Sequence, residues 1–417
     1  MENTPNTEIA TAPDRNVRPR LLKASTVLSR ITIVTAFILI AAGNITNSLL
    51  MKYGFEDQAA HASKHATFIE MMNGTAAQPF VYRSVPARLD YWAATGLVHK
   101  WPWVASVAEE LLLHRYYFAD VKDADWTPEI STAYTLMYFV IVASTALGLF
   151  FVWRIARFRG LSYAQALAFT CAFSFIFPLF FQRSALFYDF IEFAGVFGAC
   201  YSFLEDWMIP CTLVIVFSSF VKETFFLVPI GLFFLHKIET PMKKRLAWFV
   251  LQLGACLLTR YFIMQGFKNN LGGPVEFHLF DSIAFWLRPK YYLDLNNLVG
   301  PGILLPRLEN PLILIPIALF GWHAWRLSDG RWRRYFLAAY LPLLALFIPF
   351  GFADMFRNFS LAFPAIALIA LSSAGKLDSI LRIKLTSPSI VKFPTRKIGD
   401  TKEGERTQKV ALLPHRT

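Results

Sequence analysis

The chain has 417 residues, 55% hydrophobic and only 17% charged, with a mean hydropathy of +0.42, against about 25% charged in an ordinary soluble domain. Phe alone contributes 41 residues, and Phe, Trp and Tyr together make 16%, more apolar surface than a soluble fold of this size can hide. A disordered chain, a disulfide scaffold and a conventional soluble enzyme are excluded, which leaves an all-α, polytopic transmembrane helical bundle. The net charge of +12 would suggest nucleic acid in a soluble protein. Here the basic residues cluster at the ends of apolar runs, as membrane topology requires, and no nucleic-acid partner is expected.

Residues 1–30 read as a basic tail, carrying Arg15, Arg18, Arg20, Lys23 and Arg30. No cleavable signal is expected, since no A-x-A site closes the first apolar run. That run is 31–50. A long polar loop, 51–131, follows. Within it 56–73 and 84–99 read as helices, the second opened by Ser84 as N-cap with Pro86 in its first turn. Segment 104–118 reads as an amphipathic helix behind Trp101 and Trp103, suited to a headgroup region. Further apolar runs cover 132–153, 162–181, 185–204, 208–221, 224–236, 246–264, 311–325, 335–350 and 359–375. About ten spans are expected within a single transmembrane domain, 31–375. The runs between 185 and 236 are short, and half-helices or a re-entrant pair are the alternative there. A second long loop covers 265–310, and the tail 376–417 is basic and reads as disordered.

Arg154, Arg157 and Arg159, then Lys237, Lys243, Lys244 and Arg245, then Arg326, Arg331, Arg333 and Arg334 occupy alternate short loops. The intervening loops carry only Arg183, Lys222 and Arg357. By the positive-inside rule both termini are cytoplasmic, and the loops 51–131 and 265–310 are extracytoplasmic. The four cysteines, Cys171, Cys200, Cys211 and Cys256, lie inside apolar runs and read as small buried hydrophobes.

This sorting brings ionisable residues from five stretches to one face: Glu56 and Asp57; Arg83, Arg88 and Asp90; Arg183, Asp189 and Glu192; Lys222 and Glu223; Asp354 and Arg357. Each has a structural alternative. Arg83, Arg88 and Arg357 would serve as interfacial anchors, Lys222 with Glu223 and Arg183 with Asp189 as ion pairs, and Glu192 as a neutral hydrogen-bonded acid. Arg and Lys together suit phosphate or pyrophosphate, and a nearby carboxylate suits a general base. On an outer face the natural phosphate substrate is a polyprenyl phosphate carrying a sugar, entering sideways from the lipid.

The arrangement resembles the GT-C superfamily of integral-membrane glycosyltransferases over most of residues 31–375. One span precedes a long helical outer loop with an acid near its start, and many spans follow. The stretches PFVYRSVPARL, VKET and MFRNFSLAFP look like recurring motifs of bacterial membrane proteins grouped loosely with that superfamily. The resemblance implies an inverting transfer of a sugar from a polyprenyl-phosphate donor to the hydroxyl of a glycan or lipid acceptor, in a bacterial inner membrane. By position Asp57 in YGFEDQ matches the loop acid, with Glu56 beside it, as an adjacent pair where many members show Asp-x-Asp. Arg83, Arg88, Asp90, Arg183, Asp189, Lys222, Glu223 and Arg357 would then bind substrate.

No P-loop, zincin, nucleophile-elbow or dinucleotide motif occurs. His61 and His65 have i,i+4 metal-ligand spacing without an evident third ligand, and no cofactor is expected beyond a possible divalent cation. Two further readings remain open: a polyprenyl-lipid flippase or exporter, and another membrane transferase such as a polysaccharide polymerase or an acyltransferase. A transporter places its charges near mid-bilayer, whereas a transferase gathers them at one face.

Overall fold

Phe187–Leu204 forms the centre of the molecule: in the computed structural model every residue of this helix except Ile191 is buried. The structure describes residues 17–53, 67–111, 126–181, 185–273, 275–293, 297–298, 304–305, 310–351 and 355–373. On one side the central helix packs against Pro128–Phe158, on the other against Met208–Ser219. Gly148 admits the Phe193 ring, and Gly195 admits the Ser218 hydroxyl; a Cβ at either glycine would lie 2.2 Å from that side chain. Small residues at such crossings let helices approach closely without a hydrophobic driving force between them.

Around this core, Val17–Tyr53 packs on Pro128–Phe158 and on Tyr163–Ile176. Val228–Leu235 packs on Gly330–Phe350 and on Met242–Gly266. Among the described residues five helices are long and apolar enough to cross a membrane: Ile31–Leu50, Pro128–Phe158, Tyr163–Phe180, Met242–Gly266 and Gly330–Phe350. By length and composition these make the chain a helical membrane protein. Met208–Ser219, Glu223–Leu235, Pro311–Leu327 and Ser360–Ser373 are shorter apolar helices. The central helix is ~27 Å long at 1.5 Å per residue, near the thickness of a bilayer core. Asp189 and Glu192 in its first turns lower its apolarity, which burial inside the bundle tolerates. The described residues hold one strand pairing, Asn297–Leu298 antiparallel to Leu304–Leu305.

Parts of both long loops are built. Phe68–Asn73 is opened by a capping box in which Thr67 and Glu70 satisfy each other's backbone N–H groups. Val85–Lys100 and Trp103–Glu110 both pack on Pro128–Phe158. Ser84 stands at the expected N-cap position but makes no side-chain cap. The 3-10 turn Phe80–Arg83 runs straight into the helix, so Ser84 is itself helical (φ −77°, ψ −12°) and its hydroxyl is not swung toward the first turn. The loops are tied to each other. Gln78 Nε2 donates to Phe267 O at 2.9 Å, and Asn270 Nδ2 donates to Gly74 O and Ala76 O at 2.8 and 2.9 Å. Gly272, at φ +95°, lies so close that a Cβ would be 2.5 Å from Gln78 O; the position requires glycine on both counts. This tie holds the turn that carries Arg83.

Candidate functional site: a buried charge cluster at one end of the bundle

The extended backbone of Lys222 (φ −147°, ψ 133°) sends neighbouring side chains to opposite sides. Lys222 and Glu223, which the sequence offered as an ion pair, therefore take different partners. Lys222 Nζ lies 2.5 Å from Glu192 Oε2 and 3.5 Å from Asp189 Oδ1. Glu223 is gripped by Arg83, whose Nε donates to Oε2 at 2.9 Å and whose Nη2 donates to Oε1. The paired fork fixes orientation as well as charge.

Arg83 Nη1 also donates to the Tyr188 hydroxyl at 2.8 Å, and Arg357 Nη2 donates to the same oxygen at 3.3 Å. Arg357 Nε reaches Asp189 Oδ2 at 2.8 Å. That carboxylate also accepts the backbone N–H of Leu186 at 2.9 Å. Ser360 Oγ donates to Glu192 Oε1 at 2.7 Å. Asp189 and Glu192 are 1% and 0% exposed, so their ionisation depends on these cations.

Arg260 was not singled out in the sequence. It rises from Met242–Gly266 over the Tyr82 ring, 4.2 Å from its centroid, within electrostatic reach of Arg83 and Glu223. Among the described residues its buried Nη1 has no hydrogen-bond partner and it makes no ion pair. With all groups ionised, the four cations Arg83, Lys222, Arg260 and Arg357 face three carboxylates, Asp189, Glu192 and Glu223. Among the described residues the surplus is one positive charge, and Arg260 is the cation there without an ion pair. The sequence signal was available: a single charge inside the apolar run LLTRYFIM is costly and seldom idle. Tyr188 and Ser360, as uncharged residues in aromatic and apolar surroundings, left no comparable signal.

Three helices show that this cluster occupies one end of the bundle. Phe187–Leu204 starts beside it and ends at Glu205, which pairs with Arg154 at 3.6 Å. Glu223–Leu235 starts with the Arg83 partner and ends with Leu235 O accepting from Arg331 Nε at 2.6 Å. Ser360–Ser373 starts at the Glu192 partner and ends near Ser372, whose Oγ accepts from Arg159 Nη2 at 3.2 Å. Arg154, Arg159 and Arg331 therefore gather at the opposite end. An open groove lined by Asp206, Trp207, Ile209, Lys244 and Trp248 lies apart from the cluster and contains none of its residues.

Other expected site residues fall elsewhere. Arg88 is exposed over the Phe267 ring, 5.5 Å from its centroid, and makes no ion pair among the described residues. Asp90 is buried on the Ala87–Asp90–Ala94 stripe of its helix, with Oδ2 lacking a hydrogen-bond partner among the described residues; burial pushes its carboxyl up to about 8. Glu56, Asp57, Arg183 and Asp354 lie outside the described residues, as do His61 and His65. Among the described residues no group of three His, Cys, Asp or Glu side chains is placed to hold a metal. The four cysteines are unpaired, and three of them are buried.

Comparison with protein-family models, with curated proteins and with solved structures finds no match for this chain.

Proposed function

We propose that this chain is an integral-membrane glycosyltransferase of the GT-C kind, moving a sugar from a polyprenyl-phosphate donor to an acceptor hydroxyl on the extracytoplasmic face. In this reading the chain crosses a bacterial inner membrane about ten times with both termini cytoplasmic, and the charge cluster faces outward. The observation that carries it is the convergence of Arg83, Lys222, Arg260 and Arg357 from four distant segments at one end of the bundle, where they outnumber the carboxylates among the described residues. Cations gathered at one end, not strung through mid-bilayer, favour a transferase over a flippase.

The acceptor hydroxyl attacks the anomeric carbon, its proton passes to Asp57, and the bond from that carbon to the phosphate oxygen breaks. Negative charge then builds on the departing polyprenyl phosphate. Fixed cations there stabilise the transition state more than the ground state.

The test is release of polyprenyl phosphate from polyprenyl-phosphate sugars by the purified protein in proteoliposomes, with membrane glycolipid extract as acceptor. Release in the wild type and its loss in Asp57→Asn and Arg83→Ala support the proposal. Transbilayer movement of the donor without bond cleavage would replace it with the flippase reading.

A further inference from the structure

The arginine-rich end contains an arrangement that the charge cluster does not explain. Trp332 is 4% exposed, and two guanidinium groups lie over its ring: Arg159 with Cζ 4.5 Å from the centroid, and Arg331 at 4.8 Å. Among the described residues neither arginine makes an ion pair with a carboxylate. Of the nearby acids, Glu205 pairs with Arg154 at 3.6 Å and Asp206 with Lys237 at 3.6 Å, while Asp329 and Glu239 act on Arg159 and Arg331 through space without pairing with them. Arg159 gives one N–H to Ser372 Oγ, and Arg331 gives Nε to Leu235 O. Arg159 Nε and Trp332 Nε1 are both buried with no hydrogen-bond partner among the described residues.

Two like charges over one indole repel each other, and each buried donor left unmade costs its desolvation. A bound anion with several acceptor oxygens removes both penalties together. We infer that Arg159, Arg331 and Trp332 form a binding site for the phosphate of an anionic phospholipid headgroup. Phosphate oxygens accept from the free N–H groups of the two arginines and the indole. The site's place in the fold identifies the source of the phosphate. Arg159 immediately follows Pro128–Phe158, and Arg331 and Trp332 stand in the first turn of Gly330–Phe350. Both helices are long enough to cross a membrane, so the three side chains sit where such helices meet headgroups. Phe158, next to Arg159, is exposed and offers apolar surface to an acyl chain. The inference does not depend on the proposed transfer reaction.

The experiment titrates the purified full-length protein in detergent with short-chain phosphatidylglycerol, phosphatidylcholine or inorganic phosphate, and counts bound lipid by native mass spectrometry. Phosphatidylglycerol is expected to bind in preference to phosphatidylcholine. Arg159→Gln and Arg331→Gln should each weaken it at least about tenfold, the effect of one charge-assisted hydrogen bond. Trp332→Phe keeps the ring but removes the indole donor, and should weaken binding by a smaller factor while folding normally. Lys243→Gln removes an exposed charge from the first turn of Met242–Gly266 and should leave binding unchanged. An equal loss in Lys243→Gln would reduce the effect to general surface charge and overturn the site. Tight binding of inorganic phosphate, displacing the lipid, would overturn the lipid assignment. No effect of Trp332→Phe, with the arginine variants folded and binding, would overturn the proposed geometry.

Discussion

Arg83 and Arg357, one from the first long loop and the other from the turn before the last helix, donate to the same acceptor, the hydroxyl oxygen of Tyr188. Both also lie over its ring, with Cζ 5.1 and 5.9 Å from the centroid. One tyrosine on the central helix thereby holds two cations that the chain brings from far apart, and their mutual repulsion is offset by Glu223 and Asp189.

If these cations stabilise a departing phosphate, Arg83→Ala or Arg357→Ala should lower kcat/KM by about 2–4 kcal/mol of transition-state stabilisation. Arg→Lys should restore only part of it, because a point charge cannot replace a forked contact. Arg333→Ala, at the opposite end, should have little kinetic effect. Equal losses in Arg83→Ala and Arg333→Ala would mean that the cluster is structural.

Arg260 makes no ion pair among the described residues, so its loss should fall on ligand binding and not on folding. Arg260→Ala is expected to leave the thermal midpoint near the wild-type value while weakening donor binding about tenfold or more, as for loss of one charged hydrogen bond. A large fall in the midpoint with unchanged donor affinity would make Arg260 a packing residue.

Lys222 and Glu192 behave as a buried pair. Lys222→Met alone leaves the buried Glu192 without a cation, while Asp189 keeps Arg357, and should cost about 3–5 kcal/mol of stability. The double variant Lys222→Met/Glu192→Gln should be less destabilised than the sum of the single changes. Strict additivity in reversible unfolding would show that the pair is not coupled.

Asp90 adds a pH dependence with a defined sign. Its carboxyl is raised by burial from 3.8 to about 8, so the folded state holds a proton that the unfolded state releases. Its favourable contribution is complete below about pH 4 and is lost as pH rises toward 8, with a slope of ~1.4 kcal/mol per pH unit for one proton. Above that it changes no further. Unfolding of the wild type and Asp90→Asn from pH 4 to 9 should show this slope only in the wild type; the same slope in both would remove Asp90 as its source.

Sidedness is checked by single cysteines placed at exposed positions at the two ends. With Lys268→Cys and Lys243→Cys in intact cells, an impermeant thiol reagent should reach position 268 and not position 243. The reverse pattern would turn the cluster to the cytoplasm.

The helical membrane class was legible in the composition and in the spacing of apolar runs, because hydrocarbon accepts only backbone that is satisfied within its own segment. The alternation of basic loops likewise predicted the separation of Arg154, Arg159 and Arg331 from Arg83, Lys222 and Arg357, since charge at a helix end needs no tertiary contact to be read. The partners inside the cluster were not legible. Lys222 passes over its neighbour Glu223 for Glu192, and Arg83 takes Glu223, because an extended backbone at one residue divides adjacent side chains between two sides. Arg260, Tyr188 and Ser360 join the site only because the Phe187–Leu204 helix is buried among helices distant in sequence. Hydrophobic periodicity records which face of a helix is apolar. Which charges meet within a bundle is decided by the packing of one helix against another, and here glycines at 148 and 195 set that packing.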